Sequence, residues 1–112
     1  MIMPIAQYPF DGPHRSLKNI DDVPGVFAIL CEFVDKYYLL DIDHSDSVKQ
    51  AIQEHERRRC WEKYNKGKIR YAVLYDKVFP DEESDETVKK IRSRYHSIPC
   101  GSIAEQGFDK KD

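Results

Sequence analysis

The sequence predicts an α/β domain of the α+β kind, a small three-stranded mixed sheet with helices packed on it in the order β-β-α-β-α. Three observations carry that expectation. Three runs are apolar and rich in β-branched and aromatic residues, "GVFAILCEFV", "YYLLDID" and "KIRYAVLYDKVF". Two polar segments carry apolar residues at helical spacing. The chain has 112 residues, enough for one core but not for two.

Residues 1–22 contain Pro4, Pro9, Pro13 and Gly12 with few periodic apolar positions, and read as an irregular lead-in. "IDDVPG" turns into the first strand, "GVFAILCEFV". A short turn at Asp35-Lys36 returns the chain as "YYLLDID", giving a hairpin. Simple alternation places Tyr38, Leu40 and Ile42 on one face and Tyr37, Leu39, Asp41 and Asp43 on the other. "HSDSV" opens a helix with Ser45 or Asp46 as its N-cap, and Val48, Ala51, Ile52 and His55 form its buried stripe. "YNKGK" interrupts at Gly67, and the third strand follows with Ile69, Tyr71, Val73 and Tyr75 alternating. "PDEESDETVKKIRSRYHSIP" reads as the last helix. Its acids crowd the first turns and its bases the last, which complements the helix dipole, and Val88, Ile91 and Tyr95 make its apolar face. The domain is expected to span 23–101, followed by a loose tail, 102–112.

Hydrophobic residues make up 40% of the chain and charged residues 34%, which suits a compact soluble domain. No apolar run approaches the ~18 residues of a membrane span, so no membrane association is expected. The N-terminus lacks a basic start followed by an apolar stretch, so no secretory signal is expected. Cys31, Cys60 and Cys100 are odd in number and widely spaced, and read as reduced thiols of a cytoplasmic protein. Net charge is −2, yet Arg57, Arg58, Arg59, Lys63, Lys66, Lys68 and Arg70 face only Glu62 within their segment. Such asymmetry can mark a nucleic-acid footprint, and Trp61, Tyr64 and Tyr71 offer rings on which bases could stack. The plainer reading of that segment is a solvated helix end and loop with Trp61 in the core.

The order "PGVFAIL", a hairpin into "LLDID", a helix ending in His55, "CW…GKIRYAVLY" and "YHSIPCG" resembles a GIY-YIG domain over roughly residues 23 to 101. Gly25-Val26-Phe27 sits at the first tripeptide and Asp41-Ile42-Asp43 at the second. The resemblance implies a nuclease scaffold with a tyrosine at each tripeptide, an arginine on the first helix and a metal-binding glutamate on a later one. Here Phe27 and Asp41 stand at the tyrosines, Asp43 at a glycine, Ala51 at the arginine and Val88 at the glutamate. An alanine and a valine supply no charge to a phosphoryl transition state, so the resemblance implies a domain whose catalysis has been lost.

Two uses of Asp41, Asp43, His44 and His55 stay open. They could serve a divergent metal-dependent endonuclease or phosphodiesterase with Mg²⁺ or Mn²⁺. Alternatively Asp41, Asp43 and His44 cap a helix at a polar strand end and His55 is a half-buried, hydrogen-bonded histidine. No further converging ligand is named by the sequence, so no metal site is assigned and no cofactor is expected outside the enzymatic alternative. The leading expectation is a non-catalytic module that binds nucleic acid through Arg57–Arg70, or that docks on a protein partner in a larger assembly.

Overall fold

The computed structural model describes residues 1–95 and 97–101. Five strands, β1 (Ile2–Ile5), β2 (Tyr8–His14), β3 (Gly25–Phe33), β4 (Lys36–Ser45) and β5 (Lys68–Tyr75), form one sheet in the order β1-β2-β5-β3-β4. Every pairing is antiparallel. The α+β class therefore holds, but the expected three-stranded mixed sheet does not. The added strands lie in residues 1–22, expected to be irregular. Their prolines mislead because Pro4 and Pro9 oppose one another on the outer hairpin, and Pro13 falls in the register shift between Asp11 and His14. These are places where a missing N–H is tolerated. Gly12 has φ +152° there, and a Cβ would lie 2.8 Å from the Tyr71 carbonyl oxygen. The expected tail, 102–112, lies outside the described residues.

Alternation along β3 and β5 divides the core between the two faces of the sheet. Val26, Ala28, Leu30, Ala72 and Leu74 pack with Val88, Ile91 and Ile98 on the face covered by α3 (Ser84–Arg94). Phe27, Ile29, Cys31 and Val73 pack with Val48, Ile52 and Trp61 on the face covered by α1 (Val48–Gln53) and α2 (Arg58–Tyr64). The alternation expected along β4 fails in its middle. Ile29 pairs with Asp41 and Leu30 with Leu39, so Leu40 is an extra, bulged residue. Leu39 and Ile42 consequently join the α3 core, while Leu40 joins the α1/α2 core.

The helix expected to end at His55 stops at Gln53, and a second short helix, α2, follows from Arg58. Ser47, rather than Ser45 or Asp46, is the N-cap residue of α1, and its side chain makes no cap bond. Asp22 supplies one from the lead-in, accepting from the Gln50 N–H at 3.1 Å. Tyr95, expected on the buried face of α3, is 36% exposed.

The β3–β4 hairpin turns on Val34 and Asp35, with φ of +51° and +62°. A two-residue turn with both φ positive matches the twist of the strands but disfavours a β-branched side chain. Val34→Asn should therefore stabilise the fold by about 1 kcal/mol, read as a higher urea midpoint; an unchanged or lower midpoint refutes the strain.

Candidate functional site

Asp41 is fully buried on the α1/α2 face. Ionised carboxylates survive burial only with partners, and Asp41 is saturated with them. Its Oδ1 accepts from the Ile42 N–H at 2.8 Å and Arg57 Nη2 at 3.1 Å. Its Oδ2 accepts from Arg57 Nε and Trp61 Nε1, each at 2.8 Å. Arg57 thus grips the carboxylate by two nitrogens, the strongest geometry for such a pair. Burial alone would lower the Arg57 pKa, but the bonds and charge of Asp41, then of Asp43, raise it.

Arg57 also bridges to Asp43, Nη2 to Oδ2 at 3.1 Å. That oxygen lies 3.2 Å from His55 Nε2, while Oδ1 accepts from the His44 N–H at 2.9 Å. Burial would push the Asp43 carboxyl up; the His55 and backbone bonds and the nearby Arg57 charge outweigh it and hold the pKa at about 2. His55 Nδ1 accepts from the Arg57 N–H at 3.1 Å, so a neutral ring carries its proton on Nε2 and donates to Asp43. The ring is stacked at a tilt against Trp61, centroids 5.0 Å apart, and meets Phe27 edge-on at 5.7 Å.

The structure thus brings Asp41, Asp43 and His55 together but leaves His44 out. His44 is exposed and lines a cavity with Asp46, Asp76, Glu83 and Asp85. Among the described residues, no three His, Cys, Asp or Glu side chains are grouped to hold a metal ion. Ala51 packs against the α1/α2 core and Val88 lies in the α3 core, so the two positions sit across the sheet from one another. Asp41 accepts four hydrogen bonds, one for each of its lone-pair sites, and both ring nitrogens of His55 are engaged.

The basic segment divides. Arg57 belongs to the buried network. Arg70 is mostly buried and pairs with Glu32 at 2.9 Å. Arg58 is exposed but donates to the carbonyls of Ile52 and Gln53 at the end of α1. Arg59, Lys63, Lys66 and Lys68 are exposed, with Lys63 Nζ 5.5 Å from the centroid of the Tyr64 ring. Trp61 is buried, which excludes it from stacking with a ligand.

Two features escaped the sequence reading. Cys60 and Cys100, expected as reduced thiols, form a disulfide, and Cys100 is buried; Cys31 is a free thiol. Residues 98–101 cross from the α3 core to the α1/α2 core, bringing Cys100 to α2 and Gly101 against Asp41. The second feature is a groove of about 570 Å³ whose walls include Phe33, Tyr37, Tyr38, Tyr64 and Tyr95. The adjacent tyrosines 37 and 38, at the start of a strand just past a turn, were its visible signal.

Arg57→Ala should destabilise the fold by about 3–5 kcal/mol, because it strands a buried carboxylate. Arg59→Ala, two residues on in α2 and exposed, should stay within about 0.5 kcal/mol, both measured by urea unfolding. Equal effects would refute the distinction. For Asp43, the folded pKa of about 2 lies below the ordinary 3.8, so its stabilisation is complete above about pH 4 and drains away as pH falls toward 2. Asp43→Asn should flatten the acid limb of stability in that window; an unchanged limb would remove Asp43 from it. Comparison with known protein families, characterised proteins and solved structures finds no match to this chain.

Proposed function

We propose that this chain is a non-catalytic binding domain, a divergent relative of GIY-YIG nucleases, and that it binds nucleic acid through Arg59, Lys63, Lys66 and Lys68. The kinship rests on the sequence resemblance. The observation that supports loss of catalysis is the saturation of Asp41. Its four accepted bonds, from Ile42, Arg57 and Trp61, make it a structural anchor where chemistry would need an open acceptor.

The charge distribution supports a polyanionic ligand at one end of the sheet. One end of the sheet is marked by Gly25, Ser45 and Tyr75, the other by Phe33, Lys36 and Lys68. Asp46, Asp76, Glu83 and Asp85 gather at the first end. Lys66 and Lys68 lie at the second, with Lys63 and Arg59 on the neighbouring helix. A phosphate backbone would be repelled from one end and held at the other.

Fluorescence anisotropy with a labelled oligonucleotide tests this. Neutralising four phosphates predicts a log–log salt slope of about −3. Combined change of Arg59, Lys63, Lys66 and Lys68 to Glu should abolish binding, whereas Arg57 is unsuitable as a probe because its loss unfolds the site. Undetectable wild-type binding at low salt, or binding indifferent to the four reversals, overturns the proposal.

A further inference from the structure

We infer that the nucleic acid is single-stranded and that its bases stack in the ring-lined groove beside the basic helix. This rests on the nucleic-acid reading and specifies the form of its ligand. Phe33, Tyr37, Tyr38, Tyr64 and Tyr95 are 40%, 43%, 49%, 37% and 36% exposed, an unusual concentration of accessible rings. They come from separate segments: the end of β3, the start of β4, the last turn of α2 and the residue after α3. The fold converges them on one concavity of about 570 Å³, a size typical of ligand sites.

The cations and the rings are continuous. Tyr64 and Lys66 both line the groove, and Lys63 stands over the Tyr64 ring. The Lys66 N–H is held 3.3 Å from Cys31 Sγ, which fixes this loop against β3. Gly67 makes the close approach possible, since a Cβ there would lie 2.1 Å from the Glu32 carbonyl oxygen. Rings that take base faces, with ammonium groups beside them for the phosphates, are the combination that single strands require. A duplex keeps its base faces stacked internally and cannot offer them to a concave groove. The charge around the groove favours this occupant over an apolar peptide, which offers the lysines no anion.

The test compares an oligo(dT) strand with a duplex of equal length, using the wild-type chain and a Tyr37→Ala/Tyr38→Ala/Tyr64→Ala variant. The single strand should bind at least tenfold more tightly. The variant should lose roughly tenfold for each ring that stacks a base, with its salt slope unchanged because the cations remain. Should the triple variant fold poorly, Tyr38→Ala and Tyr38→Phe replace it, with loss expected for the first and retention for the second. Tight duplex binding that ignores the rings overturns this inference and leaves the electrostatic proposal standing. Failure to bind either form defeats both. Self-association abolished by the tyrosine changes, without oligonucleotide binding, would assign the groove to a second copy and overturn the inference.

Discussion

The pairing of Asp41 with Arg57 governs more of this molecule than any other single contact. A carboxylate in the core of a sheet is affordable only if its bonds are complete, and Arg57 and Trp61 complete them. To reach Asp41, the chain must leave α1 before His55 and re-enter a helix after Arg57. The backbone N–H of Arg57 then bonds to His55, so the break itself is hydrogen-bonded. The direction of α2 follows from that break. It points Trp61 inward, sets Cys60 within reach of Cys100 and carries Tyr64 to the sheet end.

The sheet therefore has ends of different character. At the Gly25 end the first turn of α3 carries Asp85 and Glu86, where the helix dipole welcomes negative charge. Glu82 ties this end to the outer hairpin, accepting from Tyr8 at 2.7 Å and Thr87 at 2.8 Å and pairing with Lys90. At the Phe33 end the strands outrun their covering helices, and their rings stay in solvent. Exposed lysines and exposed rings coincide there because short helices leave that rim of the sheet uncovered.

The central hairpin, the third long strand and the last helix were legible because period-2 and period-3.6 patterns are local. Phe27, Ile29 and Val73 fall where alternation puts them, and Val88 and Ile91 where helical spacing does. The outer hairpin was hidden by prolines that are harmless only because of their place in the sheet. The bulge at Leu40 has no composition signal, and it alone reverses the face of Ile42. Arg57 reads as one more cation in a basic run; its partners are 16 and 14 residues away, a relation no local pattern encodes. His55, for which the sequence leaves two uses open, is mostly buried and bonded to Asp43, which belonged to a cluster that the fold divides by turning His44 outward. Tyr37 and Tyr38 look like core residues by type, and only the reach of α2 and α3 decides that they are not.

The bond between Cys60 and Cys100 spans 40 residues, and β5 and α3 both lie inside that span. They are enclosed in a covalent ring that begins on α2 and closes beside Asp41. A protease cutting the connection at 76–83 would open the ring without releasing a fragment. The nicked molecule would migrate as one species on a gel until a thiol reagent parted it in two.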